Sequence, residues 1–153
     1  MLWIKTFFGI LFQTSLLGIF LYLPALTLNW PDALLFLTIH FLITILASAY
    51  LLIVKPASIE ARMNYDSEAQ PKEDRLATVL MLSAIVVGLS LAPIDFFHLN
   101  LSSSFDGNIK NIGLVIYVIG MLLVMASMNA NEFADTTVNI QEERGQRVIE
   151  TGI

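Results

Sequence analysis

Apolar and polar residues in this chain are segregated into long blocks. Four apolar stretches, 6–28, 33–54, 76–94 and 112–131, are separated by polar segments. A bilayer core of about 30 Å takes about 20 helical residues, and each stretch is near that length. The first is interrupted only by Gln13 and Pro24, and the second contains no charged residue. The pattern predicts an all-α membrane protein, a bundle of four transmembrane helices forming a single domain. After the fourth stretch the chain turns polar, and residues 132–153 read as a helical extension at the C-terminus.

The first stretch follows a basic residue, Lys5, as a signal peptide would. Its apolar run is well beyond the roughly 7–15 residues of a signal h-region, and no clear A-x-A site follows. It is expected to stay in place as a span.

The connections differ in character. Asn29-Trp30-Pro31-Asp32 reads as a tight turn, with Trp30 suited to the membrane interface and Pro31 opening the next helix. The segment from Lys55 to Arg75 is long and charged, and that from His98 to Lys110 is rich in Ser, Asn and Gly. Alternating spans place Lys5, Lys55, Arg62, Lys72, Arg75, Arg144 and Arg147 on one side, and leave Lys110 alone on the other. Short loops rich in Lys and Arg stay in the cytoplasm. A multi-pass protein of the inner or plasma membrane with both termini cytoplasmic is the expectation.

Composition narrows the function classes. Apolar residues make up 56% and charged residues 14%, with a mean hydropathy of +0.73. The absence of Cys excludes thiolate metal sites, thiol nucleophiles and disulfides. A net charge of −5 argues against a nucleic-acid partner and against a polybasic lipid-binding tail, and leaves membrane lipid as the general partner.

Few residues within the spans carry chemistry. His40 lies mid-membrane, where a polar group is costly without a partner. It reads either as a ligand or relay residue or, preferably, as a neutral imidazole hydrogen-bonded to a neighbouring helix. Asp95, two residues after Pro93, is expected to end the third span at the interface. Gly113, Gly120 and Ser127 recur every seven residues, a face on which another backbone can approach closely or a flat ligand lie. Glu60 with Arg62, and Asp74 with Arg75, could form an ionic cluster, or simply be solvated. In the tail, Phe133, Thr137 and Ile140 fall on one helical face, and Gly145 would end that helix.

Three segments resemble the isoprenylcysteine carboxyl methyltransferase-like family of membrane enzymes. They are Pro56 through Glu60 and Arg62, Asp74-Arg75 entering the third span, and a run that begins at Asn131 and Phe133. That run passes through Val138, Ile140-Gln141, Glu143-Arg144-Gly145 and Val148-Ile149 to Thr151-Gly152, and is the most specific. The resemblance implies an S-adenosylmethionine-dependent methyltransferase whose cofactor lies at the cytoplasmic surface and whose lipid-tailed acceptor substrate enters from the bilayer. Carried over residue by residue, it marks Gln141, Arg144 and Gly152 as cofactor-binding; no catalytic residue and no metal is assigned. In that family the segment continues from Thr-Gly into Pro-Tyr and then Arg-His-Pro, with further helix beyond, and these supply most cofactor contacts. Here Gly152 is followed by Ile153 alone. The expectation is a front portion that binds the cofactor weakly or not at all by itself and draws the remainder from a separate chain. The alternatives are a non-enzymatic four-helix scaffold or regulatory subunit, and a small transporter, which would call for paired intramembrane charges.

The charge bias generates a test of topology. Cysteines introduced at Ser67 and Ser103 should label with an impermeant thiol reagent from opposite sides of sealed vesicles. Labelling of both from outside would overturn the orientation.

Overall fold

A bilayer offers no water to backbone N–H and C=O groups, so a spanning segment must satisfy them within itself. The chain answers with helices. The computed structural model describes residues 1–63, 72–101 and 107–131. Its elements are α1 (Leu2–Ala25), α2 (Pro31–Val54), α3 (Pro56–Met63), α4 (Lys72–Ile94), a π-helical turn (Asp95–Leu99) and α5 (Gly107–Ala130). No strand occurs among the described residues. Four of the helices are long and apolar enough to cross a membrane, α4 together with its π-helical turn.

The helix boundaries have local causes. α1 begins at Leu2, four residues earlier than the apolar run suggests, because Lys5 can lie along the helix and extend its ammonium to the surface. It stops at Ala25, not at residue 28: Leu26 takes a left-handed conformation with φ 54° and donates its N–H to the Leu23 carbonyl. Pro31 starts α2, and Asp32 in the first turn complements the positive end of the helix dipole. α2 ends at Val54 because Pro56 disfavours helical geometry at Lys55.

Within the spans, hydroxyls are turned back on their own helix. Thr6, Thr38 and Thr78 donate to the carbonyls four residues earlier, at 3.0, 2.8 and 2.9 Å. This bond lets a polar side chain sit in an apolar surround.

Near the end of α4, Pro93 has no N–H to donate, and its ring crowds the preceding turn. The helix does not stop there. It widens into the π-helical turn and closes with Asn100 N–H donating to the Asp95 carbonyl, five residues back, at 2.8 Å. Asp95 Oδ1 then accepts the Leu101 N–H at 2.8 Å, so the terminating role expected of Asp95 is realised one turn further along.

α1 and α2 form an antiparallel hairpin at the centre. α4 packs on α1 and α5 on α2. Most of the buried residues among those described lie on α1 and α2, with Ser58 and Ile59 on α3 and Pro93 on α4, and α5 has none. α1 and α4 run in the same direction, since His98 Nε2 at the end of α4 donates to the Pro24 carbonyl at the end of α1 at 2.8 Å. The outward faces are rows of exposed Leu, Ile, Val and Phe, as in helices solvated by lipid.

Two features depart from the sequence reading. The charged connection after α2 opens with α3, which turns Ser58 and Ile59 inward against α2 and α1 while Glu60 stays exposed. The face of Gly113, Gly120 and Ser127 does not receive another backbone: a Cβ added at either glycine would meet nothing within 4 Å, and Ser127 is exposed. Between the two glycines, Tyr117 packs its ring 4.8 Å from that of Phe36 on α2. The tail residues Phe133, Thr137 and Ile140 lie outside the described residues.

The tightest packing is at the end of the bundle that carries Lys55. Leu51, Leu52 and Ile59 form a buried cluster with Leu2 and Met128 against it, so α1, α2, α3 and α5 all contribute. Leu51, 1% exposed, should be the least tolerant position. Leu51→Ala is expected to cost about 2–5 kcal/mol, as large-to-small changes at enclosed sites do. Leu42→Ala on the exposed face of α2 should cost far less. Unfolding of the two variants in mixed micelles checks the difference.

Candidate functional site

α2 and α5 run parallel and are joined at three depths by polar contacts. At one end Lys110 Nζ donates to Asp32 Oδ2 at 2.6 Å. In the middle His40 Nδ1 and the Tyr117 hydroxyl share a hydrogen bond of 2.5 Å. At the other end Lys55 Nζ donates to the Asn129 carbonyl at 2.5 Å. The partners are 78, 77 and 74 residues apart. The nearly constant offset is what a fixed register between parallel helices requires. Apolar contact contributes little specificity in lipid, so polar side chains and close packing decide how helices pair.

His40 is 5% exposed, and the imidazole meets a neighbouring helix as the sequence reading preferred. Phe36, one turn away on α2, packs against Tyr117 and the imidazole, at ring separations of 4.8 and 6.5 Å. Tyr117 was not singled out from sequence, although an aromatic hydroxyl mid-span on another helix was the available signal. Among the described residues His40 Nε2 has no hydrogen-bond partner, nor do the buried hydroxyls of Thr14 and Thr44.

At the Lys55 end, the segments flanking α2 and α5 converge. The Lys55 ammonium sits on a carbonyl in the last turn of α5, which has no donor within its own helix, and its charge suits the negative end of the helix dipole. Asn131 N–H closes α5 by donating to the Ser127 carbonyl at 2.8 Å. Pro56 through Arg62, which form most of α3, therefore lie beside the point where residues 131 onward leave the membrane helix. The residues that the resemblance marks as cofactor-binding, Gln141, Arg144 and Gly152, lie outside the described residues, as does the stretch 64–71 before Asp74-Arg75.

The opposite end is built from aromatic rings. Trp30 stacks on Phe96 at 6.0 Å and meets Phe97 and Tyr22 edge-on at 5.2 and 6.3 Å. The Tyr22 hydroxyl donates to the Trp30 carbonyl at 3.2 Å. Lys110 lies 5.7 Å above the Phe96 ring while paired with Asp32. Behind these groups a cleft of about 650 Å³ opens between the end of α4 and the start of α5, with α2 as its floor. No cluster of three or more His, Cys, Asp or Glu residues suited to a metal occurs among the described residues.

Comparison with protein-family models, with curated proteins and with solved structures gives no match.

The mid-membrane contact can be measured by a double-mutant cycle of His40→Phe and Tyr117→Phe. Hydrogen bonds between membrane helices couple by about 0.6 kcal/mol on average and up to about 1.7. The short His40–Tyr117 bond, whose imidazole is buried, should fall in the upper half of that range. Unfolding of the four proteins in micelles gives the coupling directly.

Proposed function

We propose that the chain is part of an S-adenosylmethionine-dependent membrane methyltransferase resembling the isoprenylcysteine carboxyl methyltransferase-like enzymes. In this reading the Lys55 end is the cytoplasmic face, as its basic residues favour. The methyl acceptor is a lipid-tailed carboxylate or similar nucleophile that approaches from the bilayer. Gln141, Arg144 and Gly152 contact the cofactor at the membrane surface.

The observation that carries this reading is the meeting of two segments far apart in sequence. Both bear the resemblance, and both lie at one end of the bundle. Pro56–Arg62 and the start of the run at Asn131 are linked there through Lys55, Asn129 and the packed side chains of Ile59 and Met128. Close packing where α1, α2, α3 and α5 meet favours a fixed orientation of that surface. Methyl transfer from a sulfonium depends on such orientation. The donor is already activated, so the protein mainly aligns the nucleophile in line with the methyl group and removes its water. No strong acid, base or metal is required of the residues present.

The test is photolabelling with radiolabelled S-adenosylmethionine in membranes containing the chain, with and without a co-expressed segment bearing the family's Arg-His-Pro stretch. With that segment present, label is expected within Gln141–Gly152, and Arg144→Ala should lower it at least several-fold. Absence of label from this stretch under both conditions would favour the non-enzymatic scaffold.

A further inference from the structure

We propose that the cleft at the Trp30 end binds the headgroup of a zwitterionic lipid that carries a primary ammonium and a phosphate, as phosphatidylethanolamine does. The site is independent of the methyltransferase reading, since it lies at the opposite end of the bundle.

Its volume of about 650 Å³ lies within the range of roughly 300–1,000 Å³ that holds small ligands. Its lining is divided. Asp32, Asp95 and Lys110 supply both signs of charge, whereas Leu35, Phe36 and Leu114 supply an apolar wall. A molecule that fits both halves is an amphiphile. The rim lies where α2 and α5 begin, beside Trp30, a residue type that settles at the level of lipid headgroups. α4 packs on α1 and α5 on α2, so the gap between α4 and α5 gives an acyl chain a way out into the bilayer.

The rim charges select the headgroup. Among the described residues, two carboxylates against one lysine disfavour a purely anionic lipid, and Lys110 disfavours a purely cationic one. Lys110 is held in place by Asp32 and by the face of Phe96. An ammonium has three N–H donors, and the bond to Asp32 occupies one, leaving donors for a phosphate oxygen. Asp32 has a second carboxylate oxygen and is half-exposed, so it can accept an N–H from the lipid. A quaternary ammonium has no such N–H and would need an open aromatic face. The Phe96 face is already shared between Trp30 and Lys110. A primary ammonium is therefore preferred.

The experiment is native mass spectrometry of the detergent-purified full chain titrated with short-chain phosphatidylethanolamine, phosphatidylcholine and phosphatidylglycerol. Phosphatidylethanolamine should be retained at least tenfold better than phosphatidylglycerol and several-fold better than phosphatidylcholine. Lys110→Ala and Asp32→Asn should each remove most of that preference. Gly113 lines the cleft, and a Cβ there meets nothing within 4 Å, so Gly113→Leu adds bulk at the cleft and should abolish the preference. Gly120 is equally open but does not line the cleft, and Gly120→Leu should leave the preference intact. Equal retention of the three lipids, preference for phosphatidylcholine or phosphatidylglycerol, or a preference that survives Gly113→Leu would each overturn the proposal. The glycine pair keeps the test decisive even if a rim variant fails to fold.

Discussion

The constraint on which this structure depends is the cost of a backbone carbonyl or N–H left unpaired in lipid. Helices meet it along their length and fail to meet it at their ends, where the last carbonyls have no donor within the helix. Here those ends are the points at which helices are joined. His98 donates to the Pro24 carbonyl in the last turn of α1, and Lys55 donates to the Asn129 carbonyl in the last turn of α5. The Trp30 carbonyl, already bonded to Leu34 N–H, takes a second donor from Tyr22. The first two bonds each satisfy a carbonyl in the last turn of a helix and at the same time fix a neighbouring segment against it; the third adds a link within the α1–α2 hairpin. The orientation of the bundle thus follows from requirements of single helices.

How much of this was legible in the sequence depends on the range of the cause. The four spans were, because length and hydropathy are properties of contiguous residues. The ends shifted by a few residues, since Leu26 leaves helical geometry inside an apolar run and Pro93 widens α4 without ending it. α3 was missed because, among its described side chains, Ser58 and Ile59 are the buried ones, too few to leave a periodic trace; Pro56 after Lys55 was its signal. His40 was legible as a group needing a partner, but nothing local names Tyr117, 77 residues away. The cleft was not legible for the same reason: it exists only once α2, α4 and α5 are juxtaposed. Of the cofactor residues carried by resemblance, Gln141, Arg144 and Gly152, the described residues bear only on the place from which their segment departs.

The two ends of the bundle are physically unlike. At the Lys55 end, aliphatic side chains from four helices close on one another, and Leu51 is almost wholly enclosed. At the Trp30 end many of the contacts are between rings, and the exposed Lys110–Asp32 ion pair by itself contributes about 0–1 kcal/mol. Rings meeting edge-on and face-on leave spaces that aliphatic chains would fill. A closed end and an open end suit different tasks: a closed end keeps helix termini in close contact, and an open end leaves space beside them.

The α2–α5 pair shows why these tasks are compatible. A helix pair held by small residues depends on continuous backbone contact, so opening a space anywhere along it weakens the whole. α5 is instead held at three separated points, through Asp32, His40 and Lys55, while Gly113 and Gly120 remain clear of any neighbour. Each point restricts sliding, because a shift of one residue would move a donor about 1.5 Å along the axis from its acceptor at all three. Register is therefore retained without close approach. The space left beside Tyr117 and Gly113 follows from that mode of attachment. The groups that fix the helix are not the ones that would have filled the gap.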